Sequence, residues 1–532
     1  MRRHIFALTP AIVLFFHAGA ALALDANPSN YEALLPTLQP GDTLNLAAGV
    51  YTGGLDITNL NGTEAAPIVI AGPPGGGAIF EGNGCCNTVE IIDSSHVVIR
   101  GITVDGKGID GVFGVSAKGS AGNTVHHITI EDCVFVGQNA SQQTVGISTK
   151  TPTTGWIIRR NVIDGAGTGL YLGNSNYEEA FTGGLIEYNL IKNTIGYNMQ
   201  IKNQNPWPDH PALPAGDAKT IIRHNVFLKN DQPSPDGVRP NLLVGGPPPS
   251  GAGSGSSVEI YGNFFFHNSQ DEGLIQATGR VSIHDNVFVD ASDEAILLQT
   301  HDGFPLLRAH VYNNTIHGAK RGIVFGSAAT EGDAVTGNLI FAGSPIEGSI
   351  TSEKDNLTGA VADAAMFVGS PGVTLGQMDF YPLAGKVEGA ALDLSAFDGD
   401  TAPECDFNGS SKGEGTFRGA YAGDGQNPGW KLAAEIKAPV LDCNGGGGGT
   451  GGNGSGGNGT GAAGGDGSGG DGGDGTGGDG SGGGSGNGDD PGCGCRAVGA
   501  PSGNGVWLLF AASAGVLARR RPGRGRRTGN LR

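Results

Sequence analysis

Positive charge is scarce in this 532-residue chain. Lys and Arg number 32 against 51 Asp and Glu, which gives a formal net charge of −19 at pH 7. A protein that binds nucleic acid needs a basic stripe along the phosphate backbone, so the composition argues against that class of function. It also argues against a broad electrostatic grip on acidic polysaccharide, although a local basic cleft is compatible with it.

Large apolar residues are missing from residues 444–492, which are nearly all Gly, Ser, Asn, Thr and Asp. Such a segment cannot bury apolar surface, and we predict a disordered, flexible linker with an r.m.s. reach of roughly 35–42 Å. Calcium-binding nonapeptide repeats need a large apolar residue in each unit. The Gly-Asp runs in this segment therefore do not predict a calcium roll.

The two ends of the chain predict export. Arg2 and Arg3 precede an apolar stretch that ends at Ala23, a pattern typical of a signal peptide over residues 1–23 with cleavage near Ala23. Near the other end, residues 497–518 carry no charge and are followed by an arginine cluster. This stretch is long enough to span a bilayer, and we expect membrane contact only through it.

A strand-and-asparagine phrase recurs through the middle of the chain. Apolar residues alternate before an asparagine, as in Ile-Ile-Arg-Arg-Asn-Val-Ile at 157–163, and the phrase returns after about 23 to 38 residues. Its asparagines are Asn161, Asn189, Asn225, Asn263, Asn286, Asn314 and Asn338. The alternation predicts short half-buried strands, and the repetition predicts stacked coils with a ladder of hydrogen-bonded asparagines.

These patterns predict an all-β fold, a single-stranded parallel β-helix over residues 24–389. A short helix over Asn27–Leu38 is expected to cap its first coil, and residues 390–443, where the repeat is lost, are expected to form a C-terminal cap. The flexible linker and a C-terminal hydrophobic segment at 493–532 follow. An ordinary β-sandwich with similar hairpins is the alternative.

The repeat resembles the right-handed parallel β-helix, or pectin-lyase-like, superfamily over roughly residues 30–420. The run Gln39-Pro40-Gly41-Asp42-Thr43-Leu44-Asn45-Leu46, continuing to Tyr51, looks like the first coil of many such proteins. The resemblance implies a right-handed coil. It implies little about activity, because this scaffold hosts lyases, hydrolases, epimerases, adhesins and non-catalytic surface proteins.

The C-terminal region resembles the myxobacterial sorting tags known as MYXO-CTERM. Cys493-Gly494-Cys495 precedes the uncharged stretch and the arginine cluster. The resemblance implies recognition by sorting and export machinery, retention by the tail, and processing near Cys493 or Cys495. It places the protein at the cell surface or outer envelope, with release after processing as one alternative and a plain tail anchor as another.

Candidate ligand-binding residues lie in and beside the longest excursions between strands, where solenoid proteins carry their sites. Alternation points Met199 and Ile201 inward, and Asn198, Gln200 and Lys202 outward. The residues predicted to contact a sugar chain are Lys150, Tyr171, Gln200, Trp207 and Gln299. A strip of amides, aromatic rings and cations suits a polysaccharide or cell-envelope glycan.

A polysaccharide lyase needs a base, a cation that neutralises the uronate carboxyl group, and an acid for the leaving oxygen. Lys202 is the candidate base or neutralising cation and Arg239 its partner, with His210 or His224 as proton carrier. Alternation from Ile222 points His224 inward, where packing is the alternative role.

The chain departs from the catalytic patterns of two enzyme classes that share this scaffold. The chain has neither the Arg-x-x-Pro-x-x-Arg signature of pectate lyases nor the clustered aspartates of polygalacturonases. We therefore expect first a surface-tethered protein that binds glycans or surface partners without a known catalytic motif. The alternatives are a polysaccharide lyase and, less favoured, a glycoside hydrolase.

The remaining expectations concern metal, cysteines and assembly. Asp209 and Asp217 are candidate calcium ligands. Cys405 and Cys443 flank a short segment and can pair, and Cys133, at an asparagine position, is expected to be buried. We expect a monomer.

Overall fold

The computed structural model describes residues 21–84, 87–119, 124–270, 272–440 and 443. They belong to the larger of two compact units, Met1–Ser485. The predicted linker and sorting tag, with Cys493 and Cys495, lie outside the described residues, as do most of the predicted signal peptide and the two adjacent cysteines Cys85 and Cys86. In the part of the chain that is described, no helix is both long and apolar enough to cross a membrane.

The chain winds into coils whose strands stack in parallel on three faces. The first face consists of Ala23–Ala26, Thr43–Leu46, Ile68–Ala71, Ser95–Arg100, Val125–Glu131, Ile157–Arg159, Leu185–Glu187, Lys219–Arg223, Ser257–Tyr261, Gly279–His284, Leu306–Tyr312, Gly332–Thr336 and Glu353–Lys354. Two short strands, Thr153–Thr154 and Phe181–Thr182, extend it.

Each coil continues onto the second face just after the position that the repeated asparagine occupies in most coils. The second-face strands are Gly49–Tyr51, Ala78–Glu81, Thr103–Asp105, Val134–Val136, Val162–Asp164, Leu190–Lys192, Val226–Leu228, Phe264–Asn268, Val287–Ala291 and Leu357–Gly359. The third-face strands are Leu55–Thr58, Asn87–Ile92, Phe113–Lys118, Val145–Thr149, Thr168–Leu172, Met199–Ile201, Leu242–Val244, Ile275–Ala277 and Glu294–Leu298. The long strands Thr315–Phe325 and Leu339–Gly348 run through both faces. The predicted all-β right-handed parallel β-helix is confirmed.

Apolar columns fill the interior of the coils. On the first face, the fully buried column consists of Ile130, Ile158, Ile186, Ile222, Ile260, Ile283, Val311 and Val335. On the second face, stacked rings place the centroid of Phe265 4.8 Å from that of Phe227 and 4.9 Å from that of Phe288. Burying one such side chain contributes about 1.5–3 kcal/mol to stability. A coil by itself would leave these side chains exposed to water, so the coils are stable only as a stack.

The asparagine ladder runs through the corner between the first and second faces. Asn225 Oδ1 accepts the backbone N–H of Asn189 at 3.0 Å and its Nδ2–H at 2.9 Å. Asn225 Nδ2 in turn donates to the Ile186 carbonyl at 2.9 Å. Cys133 begins the series, since its N–H donates to Asn161 Oδ1. Asn356 extends it beyond the asparagines recognised from sequence, accepting from the Asn338 N–H at 2.9 Å.

A short helical segment covers the first coils. The helix Tyr31–Leu34 leads directly into the 3-10 helix Leu35–Thr37. Tyr31 is buried, with its ring centroid 5.1 Å from that of Tyr51 and 5.8 Å from that of Phe80. These second-face rings of the first coils therefore pack against the segment predicted to be the N-terminal cap.

The coils end earlier than the predicted boundary at residue 389, because Leu357–Gly359 is the last described parallel strand. The 3-10 helices Val361–Met366 and Ser395–Phe397 and the antiparallel pair Val368–Ser370 and Asp379–Pro382 follow. Residues 361–440 form a layer on the outside of the first and second faces, which we call, together with Cys443, the C-terminal flank.

The C-terminal flank is held by apolar and polar contacts along the stack. Phe380, Phe407 and Tyr421 share a buried cluster with the outward second-face residues Val226 and Phe264. Farther along the first face, Lys412 Nζ lies 2.7 Å from Asp285 Oδ2, and Asp400 accepts from Ser282 Oγ at 2.8 Å. Cys405 and Cys443 form a disulfide within this layer, with Cα atoms 5.6 Å apart. The region expected to form a C-terminal cap thus covers a side of the stack.

Candidate functional site

Lys202 follows a third-face strand at a position flanked by glycine on both sides of the stack. Its N–H donates to the Leu172 carbonyl, so Gly173 lies beside it in the preceding coil. A Cβ on Gly173 would lie 3.0 Å from Lys202 Cβ, and one on Gly245 in the following coil 2.4 Å from the Lys202 carbonyl carbon. Any larger residue at these places would displace the lysine.

Two tyrosine rings flank the Lys202 side chain. Its Nζ lies 5.8 Å from the ring centroid of Tyr171 and 5.4 Å from that of Tyr177. Burial lowers the pKa of Lys202; Asp302 opposes that shift, and Arg239 adds to it. The amine is therefore neutral more often at a given pH than an exposed lysine would be.

A chain of polar contacts runs from Tyr177 across neighbouring coils. The Tyr177 hydroxyl donates to Asp302 Oδ2 at 2.8 Å, and this oxygen lies 3.4 Å from His301 Nε2. Gln276 Nε2 lies 3.0 Å from His301 Nδ1, which assigns Nδ1 as the acceptor and Nε2 as the protonated nitrogen. Burial raises the pKa of Tyr177 and lowers that of His301, so both are neutral near pH 7.

Arg239 brings a second cation from the long excursion between the second and third faces. Its guanidinium carbon lies 5.6 Å from the ring centroid of Tyr197. The Arg239 carbonyl accepts from Lys229 Nζ at 2.7 Å and from Asn268 Nδ2 at 3.0 Å. Because Lys229 and Asn268 are both buried, they fix the loop at this point.

Lys229 and Glu272 place two further titratable groups next to Arg239. Burial lowers the pKa of Lys229 to about 7, against the attraction of Glu272. Burial, and then repulsion by Glu294, raises the pKa of Glu272 to about 7. Both groups therefore change charge near neutral pH.

The structure brings Lys202, Arg239 and Tyr171 of the predicted set together with Tyr177 and Asp302, and we call these five residues the Lys202 site. Arg239 and Asp302 both act electrostatically on Lys202. Arg239, Tyr177 and Asp302 come from three separate excursions, and Tyr171 lies on the strand Thr168–Leu172. The site therefore combines two cations, two phenols and a carboxylate on the outside of one face.

Gln200 lies beside Tyr171 in the third-face register, and Gln276 lies two coils farther along. Gln200 is only 4% exposed, so it forms the floor of the site rather than an open surface. The predicted outward position of Asn198 is wrong. Its fully buried Nδ2 donates to Thr194 Oγ1 at 3.0 Å and to the Leu228 carbonyl at 3.0 Å, because the chain turns there before the strand begins.

Lys150 and Gln299 follow third-face strands at the register position of Lys202. Their N–H groups donate to the carbonyls of Ala117 and Ala277 in the respective preceding coils. Lys150 Nζ lies 5.3 Å from the Phe113 ring centroid, and a Cβ on Gly326 would lie 3.0 Å from Gln299 Oε1. They lie on the predicted face, in coils on either side of the Lys202 site.

His224 lies at the corner before its ladder asparagine, outside the Lys202 site. It adopts a left-handed backbone conformation with φ 55°, so the strand alternation that predicted an inward side chain stops before it. Its ring stacks on Tyr188 at 5.0 Å, and Lys437 of the C-terminal flank covers it, with Nζ 3.4 Å from Nδ1. The predicted role of His224 as a proton carrier for an external ligand is therefore wrong, because its side chain is enclosed.

Trp207 and His210 belong to the excursion after Lys202 but turn to other partners. Trp207 Nε1 donates to Gln204 Oε1 at 2.8 Å, and its ring lies against Gly253, where a Cβ would come within 2.3 Å. His210 Nδ1 accepts from the Ala212 N–H at 3.1 Å. Among the described residues, no hydrogen bond or ring contact joins either side chain to that of Lys202.

Asp209 and Asp217, the candidate calcium ligands, are exposed. Asp217 Oδ1 accepts the Gly255 N–H at 2.7 Å, which ties two loops together. Among the described residues, the groups of side chains close enough to share a metal ion do not include either aspartate. Calcium binding by these two residues stays a prediction.

Tyr177, Tyr197, Asp302 and His301 were not recognised from the sequence. Tyr177 and Asp302 are 125 residues apart and lie in short excursions. The widest spacings between ladder asparagines predict candidate sites in the longer loops instead. A signal was available: the chain leaves each third-face strand at the same register position, so Tyr177 and Asp302 leave the stack at the same edge as Lys202.

Comparison with known proteins agrees with this architecture. Residues 145–351, which include the Lys202 site, match a family model described as a right handed beta helix region. A search of curated protein sequences finds no match. The family match and the three parallel faces together define a right-handed parallel β-helix protein.

Similar solved structures include an alginate lyase from Paenibacillus sp. str. FPU-7, 13% identical with a TM-score of 0.42, where the alignment covers 62% of this chain and 99% of that one. The pectate lyase Pel9A is 15% identical, with coverage of 65% and 83% and a TM-score of 0.39. A GH136 lacto-N-biosidase from Eubacterium ramulus is 12% identical, with coverage of 64% and 68% and a TM-score of 0.39. These likenesses carry no argument about activity.

Proposed function

We propose that the Lys202 site binds an acidic polysaccharide and cleaves it by β-elimination. The observation that carries this proposal is the Lys202 amine, which lies between two tyrosine rings and has a lowered pKa. Arg239 is near enough to lower that pKa further. One cation can therefore lose its proton and act as a base, while the other keeps its charge and can bind a carboxylate.

The reaction uses three residues of the site. The neutral Lys202 amine takes the proton from the carbon next to the uronate carboxyl group. Arg239 pairs with that carboxylate and stabilises the negative charge that develops there. The electron pair forms a C=C bond while the bond to the oxygen of the next sugar breaks, and Tyr177 donates its proton to that oxygen. Lys202 and Tyr177 then return to their starting states by exchanging protons with water.

Glycan binding without cleavage is the second candidate function. Asp302 acts electrostatically on Lys202, and Glu272 interacts with Arg239, so carboxyl groups beside both cations weaken the attraction of the site for a uronate carboxylate. The tyrosine rings and the neighbouring amide of Gln276 suit the faces and hydroxyl groups of a neutral sugar. In that case the polysaccharide binds and keeps its length.

We test the function with purified protein and a panel of acidic and neutral polysaccharides. Ultraviolet absorbance of new C=C bonds and new reducing ends are followed together. Both are expected to rise with an acidic polymer and to be lost in Lys202→Ala. Lys107→Ala, which removes an exposed lysine paired with Glu81, is the matched control and should leave the rate unchanged.

Each other outcome points to a different function. Reducing ends without absorbance would replace the lyase by a hydrolase. Binding without either signal, weakened in Lys202→Ala, would establish the glycan-binding function. Activity that persists in Lys202→Ala, with the fold intact by circular dichroism, would show that the reaction does not use this amine.

We also propose that the β-helix is exported and held at the cell surface. The support lies in the sequence: the signal-peptide pattern ending at Ala23, the flexible linker, and the sorting-tag resemblance around Cys493 and Cys495. Protease treatment of intact cells should remove the β-helix, and mass spectrometry of the mature protein should find a new N-terminus near residue 24. Recovery only from the cytoplasm, with Met1 still present, would refute this location.

A further inference from the structure

Three histidines from adjacent coils meet on the first face, outside the Lys202 site. His126 lies beside Ser95 in the strand register, which sets His127 beside His96. His96 and His127 both adopt the left-handed backbone region, with φ 52° and 53°, which is uncommon for residues other than glycine. Gly155 occupies the same corner one coil later, and a Cβ there would lie 2.8 Å from His127 Cδ2. The stack therefore leaves room for the His127 ring.

The three rings point their nitrogens into one small volume. The rings of His96 and His127 stack with centroids 4.6 Å apart, and the His126 ring stands edge-on to both at 5.6 and 5.1 Å. One nitrogen from each ring lies within 4.8 Å of those of the other two, and the Nδ1 atoms of His126 and His127 are 2.9 Å apart. Nitrogens bound to one tetrahedral zinc ion at ~2.0–2.1 Å lie roughly 3.4 Å apart, so small ring rotations complete this arrangement.

The ring nitrogens are available to a metal ion. Within the described part of the chain, the only hydrogen bond found for these nitrogens joins His126 to His127. Imidazole is the commonest metal ligand among side chains, and it binds through a ring nitrogen that carries no proton.

We propose that His96, His126 and His127 bind one zinc ion, with water in the fourth position. An all-imidazole ligand set suits zinc and other late first-row transition metals, whereas calcium and magnesium prefer oxygen ligands. The metal would join the coils of Ser95–Arg100 and Val125–Glu131 from the outside, in addition to their backbone hydrogen bonds. This binding site is independent of the proposed activity at Lys202.

The test titrates untagged, metal-free full-length protein with zinc chloride in a calorimeter, and with cobalt chloride while recording visible absorption. One ion per chain is expected to bind, and cobalt is expected to give the absorption bands of a tetrahedral nitrogen site. Zinc should also raise the melting temperature, because it binds only the folded protein.

His96→Asn and His127→Asn are the diagnostic variants, since asparagine tolerates the left-handed backbone that both positions need. Losing one of three ligands should weaken zinc binding by about tenfold or more, because even outer-shell partners of metal ligands are worth that much. His301→Asn, at a histidine outside the cluster, is the matched control and should bind zinc as the wild type does.

His127 is exposed, so its variant should fold, and an unchanged circular dichroism spectrum checks this. Native spectra with lost zinc affinity support the site. Absence of stoichiometric binding by the wild type, or equal binding by the His96→Asn/His127→Asn double variant, would overturn it and leave the histidines as a packed ring cluster.

Discussion

Replacement of Asn225 by alanine tests whether the asparagine ladder stabilises the stack. The Asn225 side chain is fully buried and makes five hydrogen bonds. Oδ1 accepts twice from Asn189, and Nδ2 donates to the carbonyls of Ile186 and Arg223 and to Asn263 Oδ1. Alanine removes all five and leaves the buried N–H of Asn189 in the preceding coil without its acceptor, whereas Asn263 Oδ1 in the following coil keeps the backbone N–H of residue 225.

The expected cost follows from these contacts. A buried hydrogen bond contributes a net ~1 kcal/mol, and an unsatisfied buried partner costs about 1–3 kcal/mol. Because a cavity of this size can admit water to some of the freed groups, we expect a loss of roughly 3–5 kcal/mol in the free energy of unfolding. Asn356→Ala removes three hydrogen bonds at a less buried place and should cost roughly 1–3 kcal/mol.

Urea unfolding followed by far-ultraviolet circular dichroism measures the two losses, and amide hydrogen exchange at Asn189 reports the local effect. The Asn189 N–H should exchange faster in Asn225→Ala, because it loses its acceptor on Asn225. A loss below ~1 kcal/mol for Asn225→Ala, or equal losses for both variants, would refute the argument that the ladder stabilises by buried hydrogen bonds.

Three further predictions concern charge and cross-linking. If neutral Lys202 is the base, Arg239→Gln raises its pKa by removing a nearby positive charge, so the midpoint of the rising limb of the pH–rate profile should move to higher pH. Lys229 has a pKa of about 7 in the folded chain and an ordinary value of 10.5. Between these two pH values it binds a proton only in the unfolded chain. The free energy of unfolding should therefore rise with pH in this range, by at most about 1.4 kcal/mol per pH unit. Lys229→Met should remove that contribution in urea titrations between about pH 8 and 10, and an unchanged slope would contradict the burial argument. Cys405→Ser removes the disulfide to Cys443, 38 residues away, and should lower the free energy of unfolding by about 4 kcal/mol through loop entropy. The melting temperature of the variant should fall. Reducing agent should lower the melting temperature of the wild type in the same way and should leave that of the variant unchanged.

The periodic part of the molecule was predictable because the same local rule repeats in every coil. Alternating apolar residues before Asn161, Asn189 and Asn225 specify which side of each strand is buried, and stacking is the only way for such short strands to bury it. Asn356 escaped notice because its coil is short, so it lies only 18 residues after Asn338.

The site was predictable only in part. Lys202 lies directly after a regular strand, so register placed it on the outer surface of the third face. Trp207, His210 and His224 lie in irregular chain or at a left-handed corner, where strand alternation says nothing about direction. The C-terminal flank, which covers His224, has no repeat from which its path could be read.

By itself, the sequence determined the fold, since its alternation and repeat period recur in every coil and admit one stacked arrangement. It also predicted the asparagine ladder and the face of the β-helix that carries Lys202. Only the tertiary structure decided which side chains meet there, because stacking brings Tyr177 and Asp302 together across 125 residues through loops that share no period. For the same reason only the structure revealed the meeting of His96, His126 and His127, where adjacent coils place separate stretches of chain one strand apart.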